Sequence, residues 1–568
     1  MSIKQWGTRQ FCLWFCLAIL TPIYFGIISV YPAFDHEFIV AADTRLHVTW
    51  LQQLIDPQVF ANDLSATYYQ AFLPAGFKWL YGVAAQGGVE PLQLAKILPI
   101  PLGIIASVYF FGVCFEIFPN VVGAGIATLI FNQNLWFQND LITSTPRAFG
   151  DPLFAAFLYY LLKRQSLPCL GIVLLQGLFY PVLVPVDVGI LIAGLVRWQG
   201  FIPRVSRERL DYGLALGGVA IALIVLAHSH LSPSDYGPVY TVDQMRKMAE
   251  FYPGGRTPYF GIHPLAFWTV GRSGVRIPFL PPILLLGLLL PLLSKAKFPL
   301  IAGVTPKQRI LVQILLPSLG LYSLAHLLLL RLYWPSRYTY FSFRFILAIA
   351  AGIVVTALCE AGLRKLRQTW RTQTQFTPSQ VVMMVSLMLF GAVALITPAL
   401  PPVLWASHHW RIGTEPSLYT FLASQPKDIV VASLSLQADN LPSFTHRSVL
   451  VSRAVITAFH ANYYQQLYQR LTDLVAAQYS SDLRSVKQFI RTYSIDFWLL
   501  DQTAFSSDYA EQNRWLEQYQ AIIAPAMARL AQGQTPALIR YIPLCSSLAS
   551  KNVTLLNASC LLSQPDSP

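Results

Sequence analysis

Charge is what this sequence is short of. Only 12% of its 568 residues are Asp, Glu, Lys or Arg, where soluble domains carry about 25%. With 54% hydrophobic residues and apolar runs of span length, that deficit excludes an ordinary soluble enzyme and points to a multi-pass membrane protein. Cysteine is also scarce. Of the seven, Cys12, Cys16, Cys114, Cys169 and Cys359 lie in or beside apolar runs and read as small hydrophobes. Cys545 and Cys560 are either a pair across a short loop or two free thiols. No Cys/His spacing of the metal-binding kind occurs, nor any short-period repeat.

What is there is a succession of apolar runs. The first, Phe11 to Val30, follows Lys4 and Arg9. It is too long for a signal-peptide core and lacks a small-residue cleavage site, so it reads as an uncleaved anchor. Hydropathy places about eleven spans, near 11–30, 94–115, 121–137, 151–163, 167–183, 185–198, 211–229, 279–294, 310–330, 345–361 and 379–398. The net charge of +13 suggests nucleic acid until it is located. Loops on the N-terminal side of these spans hold sixteen Lys and Arg against four acids. That is the positive-inside signature, so the basic charge is topological and no nucleic-acid partner is expected. The expected fold is an all-α polytopic membrane bundle over residues 1–400, set in an inner membrane with its N-terminus cytoplasmic. An extracytoplasmic α/β domain follows at 401–545, then a disordered tail at 546–568. In the α/β part, DIVVASLS, RSVLVS, DFWLLDQ and ALIRYIP read as strands, and Asn462 to Tyr479 as an amphipathic helix.

The stretch around which the rest is organised is AADTRLHVTW, Ala41 to Trp50. It opens the first outer loop, 31–93, directly after the first span. Asp43 and His47 are four apart and share a face if a helix runs from Asp43 to Ile55. Asp43 is either a chemical group at the membrane surface or a helix N-cap. A second amphipathic segment from Asn62-Asp63 carries Tyr68, Tyr69, Phe72, Phe77, Trp79 and Tyr81, a density expected of a helix lying among lipid headgroups.

Three further outer loops carry ions. Residues 138–150, with the start of the next span, hold Asp140, Arg147 and Asp151. The loop at 230–278 holds Arg246, Lys247, Arg256, His263, Arg272 and Arg276. The loop at 331–344 holds Arg331, Arg337 and Arg344 with no acid. Outer arginines run against the positive-inside bias; an anion, most commonly phosphate, is the partner that fits them. A sugar carried on a polyprenyl phosphate has a leaving group that is already a stable anion. Its transfer needs a carboxylate near the acceptor and fixed cations on the phosphate. Asp43 and the outer arginines, with Arg45 and His47 beside Asp43, supply such a set.

On these features the chain resembles the GT-C superfamily of multi-pass glycosyltransferases: an N-terminal span, a first outer loop opening with DTRLH, and a terminal outer α/β domain. The superfamily includes oligosaccharyltransferases, protein O-mannosyltransferases and aminoarabinose transferases. The resemblance implies a catalytic Asp43, a second acid at Asp140 or Asp151, and a polyprenyl-phosphate-linked sugar as donor within the lipid bilayer. If a divalent ion such as Mg2+ or Mn2+ takes part, Asp43 with Asp140 or Asp151 would hold it. Where oligosaccharyltransferases carry W-W-D-Y-G, this chain has LQADNLP, residues 436–442. That departure argues against asparagine-linked transfer and leaves the acceptor open. Asp439 and Asn440 then either read the acceptor or form a turn, and Arg447, in the HRSVLVS stretch that follows, is a further candidate for substrate binding.

Two other classes fit a polytopic chain. A transporter or flippase needs ionisable groups or broken helices at mid-membrane, and His326 is the clear intramembrane ionisable residue, more simply a packed histidine. A non-catalytic scaffold would leave the outer arginines without a role. His408-His409 beside Trp410 reads as an interfacial belt rather than a metal site.

Overall fold

The computed structural model describes residues 8–199, 202–231, 235–372 and 409–565, with scattered positions between 378 and 391. Four helical stretches, Thr8–Asp35, Pro91–Ile117, Pro306–Leu327 and Ser336–Lys365, are long and apolar enough to cross a membrane. Shorter apolar helices at Val121–Phe137, Ser166–Phe179 and Pro181–Gly194 pack among them. The chain is a membrane protein, but the expected count of eleven spans is not confirmed. The eleventh lies outside the described residues. The segment expected at 279–294 is a 3-10 run, Pro282–Leu292, with Pro291 inside it withholding a backbone donor.

The bundle is tightest where Val121–Phe137 meets Ser336–Thr372. A Cβ on Gly352 would lie 2.4 Å from the Cβ of Ala127 and 2.8 Å from its Cα. Gly352→Val is therefore expected to cost about 1–3 kcal/mol by overpacking. Gly362→Val, in the same helix with nothing within 4 Å, serves as control in thermal melts. Equal melting of the two variants would contradict the close approach.

The loop after the first helix is tied down at its entrance. Strand β1 (Ile39–Ala41) leads into Asp43. After a hairpin of β2 (Val196–Gln199) with β3 (Ile202–Val205), the next strand is β4 (Trp410–Ile412), which pairs antiparallel with β1. Trp410 is buried and donates to the Ser29 carbonyl at 2.9 Å, so it anchors the C-terminal domain to the first helix instead of marking an interface. His408 lies outside the described residues.

Asp43 to Ile55 is not one helix. A single turn, Thr44–His47, gives way at Val48 to a 3-10 run, Thr49–Leu54. Asp43 does not cap the turn: its own backbone is helical and its carboxylate bonds no backbone N–H there. Asp63 does act as a cap, accepting from Ser65 and Ala66 at the start of Leu64–Ala71. The aromatics after it are spent mainly on protein. Tyr68 stacks on Tyr463 with centroids 3.6 Å apart, and Tyr69, Phe77 and Tyr81 are buried. Trp79 and Phe72 remain exposed.

The C-terminal domain is a five-stranded sheet in the order β6–β5–β7–β9–β8, formed by β5 (Val430–Ser433), β6 (Ser448–Val449), β7 (Phe497–Asp501), β8 (Ser546–Ala549) and β9 (Val553–Asn557). β5 pairs parallel with β6 and β7; β9 pairs antiparallel with β7 and β8. Two helices, Ala461–Gln478 and Leu483–Tyr493, follow β6. Two expectations are corrected. ALIRYIP is helix, Ala537–Cys545. The tail is structured over residues 546–565: β9 inserts between β7 and β8, a helix runs over Ala558–Ser563, and Cys545 is bonded to Cys560. The Ser/Asn-rich flanks hide Val553-Thr554-Leu555-Leu556, all buried in the sheet.

Candidate functional site

Three segments bring ions together at one end of the bundle. The β1–β4 ladder presents Asp43. The loop after Val121–Phe137 presents Asp140 and Arg147, and the next helix, Gly150–Leu162, opens with Asp151. Helix Ser336–Thr372 presents Arg337 and Arg344 on one face, seven residues apart. The loop is braced: Ser144 adopts a left-handed conformation, its hydroxyl donates to the Ala95 carbonyl at 2.6 Å, and its carbonyl accepts from Tyr81 at 2.9 Å. Thr44 donates to the Thr143 carbonyl at 2.6 Å, fastening the Asp43 turn to the same loop.

The result is an alternating chain of charge. Asp43 pairs with Arg147 at 2.5 Å, Arg147 with Asp140 at 2.7 Å, Asp140 with Arg344 at 3.4 Å, and Arg344 with Asp151 at 2.6 Å. Asp140, Asp151 and Arg344 are buried, whereas the Asp43 side chain keeps 34% of its surface open. Asp43 is thus the accessible end of a buried ionic line. Burial opposes its ionisation, but Arg147, His47, Arg256 and Arg337 together hold its carboxyl below the usual range. Burial also opposes ionisation of Asp140, and Arg147 and Arg344 nonetheless bring it down to about 2.

Beyond Asp43 the cations outnumber the acids. Arg272 lies over the Trp334 ring at 5.4 Å and Arg276 over Tyr340 at 4.4 Å. Burial, reinforced by Arg256 and Arg337, pushes Arg272 down to about 10. Arg337 Nη1 and Arg256 Nε are buried without a hydrogen-bond partner. Arg45 donates to the Asn440 side chain at 2.8 Å and lies 3.9 Å from Asp439. LQADNLP therefore folds as a 3-10 turn and short helix against the first loop. Asp439 also accepts from the Ala454 N–H at 2.6 Å.

His47 is packed edge-on against Tyr69. Its imidazole is pushed down to about 4, chiefly by burial; Asp43 opposes the shift, while Arg147 and Arg256 reinforce it. An unfolded histidine titrates near 6.5. Between these values the unfolded chain takes up a proton that the folded chain refuses, so stability falls as pH drops from about 6.5 towards 4. Melting temperature is expected to decline across that window, and less steeply in His47→Gln; parallel curves would contradict this.

Not every residue singled out above converges here. Arg246, Lys247, His263 and Arg331 are exposed, and the His263 ring accepts from the Leu265 N–H as a helix cap. Arg447 is buried and donates to the carbonyls of Ala423, Gln425, Thr445 and His446; it staples the C-terminal domain and is not free for a substrate. His326 is bonded to the Tyr259 hydroxyl and the Ser273 carbonyl, a packed histidine as expected. It is not alone in the bundle, however. Asp187, in helix Val184–Gly194, is fully buried with neither oxygen hydrogen-bonded.

Three arginines of this neighbourhood escaped the sequence reading. Arg453, Arg411 and Arg514 bear electrostatically on Arg45 or on one another, and Arg453 Nε is buried without a partner. Arg453 stands just past HRSVLVS, so its position after a buried strand was the signal available.

The acids do not fit a divalent ion as they stand. The Arg147 guanidinium lies between Asp43 and Asp140, and Arg344 lies between Asp140 and Asp151. Among the described residues no three His, Cys, Asp or Glu cluster in a metal-binding way.

The chain matches no family model and no curated protein sequence. Solved structures do match. One is the archaeal oligosaccharyltransferase AglB from Archaeoglobus fulgidus in complex with an inhibitory peptide and a dolichol-phosphate. Its TM-score is 0.51 at 10% identity, over 90% of this chain and 72% of that one. Another is the Archaeoglobus fulgidus oligosaccharyltransferase tethered to an acceptor peptide containing the NVT sequon, with TM-score 0.50 at 13% identity, over 93% and 72%. At such identities the likeness is one of fold: the chain shares the fold of these oligosaccharyltransferase structures.

Proposed function

We propose that this chain is a membrane glycosyltransferase. It moves a sugar from a polyprenyl-phosphate donor to an acceptor glycan, lipid or protein at the extracytoplasmic face. The observation that carries the reading is the arrangement at Asp43: one partly open carboxylate, released from any capping role, beside Arg256, Arg272 and Arg337, two of which keep buried unpaired N–H groups. Crowded cations lacking counter-charge are relieved by an anion, and a lipid phosphate entering from the bilayer supplies it.

In the reaction the acceptor's lone pair forms the new bond to the anomeric carbon as the carbon–oxygen bond to phosphate breaks. The arginines take up the charge on the departing phosphate. Asp43 is a weak base, because Arg147 and its neighbours stabilise the ionised form. Its role is accordingly to orient the acceptor and to face the positive charge that builds on the sugar, with the acceptor's proton leaving late and passing to the departing phosphate. Asp140 and Arg344 act through Arg147, fixing its direction.

Arg337→Ala should weaken binding of a polyprenyl-phosphate sugar about 10-fold or more, since hydrogen bonds to charged groups are worth about 1.5–3 kcal/mol. Arg337→Lys should recover only part of it, lacking the planar fork. Donor affinity unchanged in both variants would remove the phosphate from this site.

A further inference from the structure

A second basic site lies at the other end of the bundle. Helix Gly150–Leu162 begins with Asp151 and ends beside Arg164, about 20 Å away at 1.5 Å per residue. There the ends of four helices enclose a cavity of about 180 Å3. Its floor is apolar, with Leu161, Ile190, Leu191 and Leu214; its rim carries Arg164, Arg197, Lys307 and Arg309. The rim is only partly neutralised. Arg164 and Arg197 share Glu208 and Asp211, while Lys307 and Lys163 share Glu116. Arg309 makes no side-chain hydrogen bond or ion pair among the described residues. Five cations thus face three carboxylates. Arg309 also stands at the start of helix Ile310–Leu327, whose first N–H groups lack intrahelical acceptors.

We propose that this cavity binds the phosphate headgroup of an anionic phospholipid from the adjoining leaflet. Two uncompensated positive charges match a phosphate. The apolar floor matches the glycerol and first acyl carbons, which a free phosphate does not have. Basic pockets between membrane helices take such headgroups. The site is separate from the Asp43 neighbourhood and does not depend on the transfer reading.

The test is native mass spectrometry of the full chain in detergent, titrated with phosphatidylglycerol, phosphatidylcholine or inorganic phosphate. The parent chain should retain one phosphatidylglycerol at concentrations where phosphatidylcholine is not retained. Arg309→Ala, an exposed residue with no partner to lose, should lower that affinity about 10-fold. Arg204→Ala, an exposed cation on the nearby β3 strand, should leave it unchanged. Equal retention of the two lipids, an Arg309→Ala chain that binds as the parent does, or competition by inorganic phosphate at concentrations matching the lipid would each overturn the proposal.

Discussion

Asp43→Asn is expected to lower sugar transfer about 10²–10³-fold, the range seen when one preorganised polar group is removed from an active site. Asn keeps the shape and is as good a helix cap as Asp, and no capping bond exists here to be lost. What disappears is the negative charge that the proposed reaction sets against the sugar, and with it the ion pair with Arg147. Arg147 retains Asp140 at 2.7 Å, so the loop should hold its geometry and the purified variant should fold and bind donor as before. Turnover is the readout. Activity within a few-fold of the parent would remove Asp43 from the reaction and leave Arg147 as a purely structural clamp.

The second large effect lies deeper. Arg344 is 1% exposed and pairs with Asp140 and Asp151. Arg344→Met strips Asp151 of the only cation hydrogen-bonded to it among the described residues, where the other Asp151 oxygen already lacks a partner. Breaking a buried pair from one side costs about 3–5 kcal/mol, whereas removing both sides with apolar residues is often nearly neutral. Thermal unfolding in detergent should show Arg344→Met strongly destabilised and Arg344→Met/Asp151→Leu largely restored. A single variant as stable as the parent would mean that the ionic line is not closed as described.

Much of this was legible before any coordinates. Asp43 was singled out by its place directly after the first span. Helix Ala461–Gln478 follows from periodicity, because one of its faces is buried, and strands β5 and β7 follow from short apolar runs, because both of their faces are buried. Other features depend on partners far away in sequence. Nothing local says that Ile39–Ala41 will pair with Trp410–Ile412, nor that Arg147 will turn from Asp151, four residues on, to Asp43 and Asp140. The four-residue spacing of Arg147 and Asp151 would allow a local ion pair, but tertiary partners outcompete it. Arg447 looked like a ligand by position and proves to be a backbone staple, a role that spacing cannot distinguish. Asp187 was passed over because a single acid hardly dents the hydropathy of its helix.

The fate of the lipid-linked sugar decides between transfer and transport. Purified chain in vesicles should be incubated with a polyprenyl-phosphate sugar and a membrane extract as acceptor, and the lipid pool followed by mass spectrometry. The parent chain should convert sugar-bearing lipid to bare polyprenyl phosphate, with the sugar recovered on acceptor, and Asp43→Asn should not. If the sugar stays on its lipid while the intact molecule crosses the bilayer, the chain is a flippase and the transfer reading is wrong.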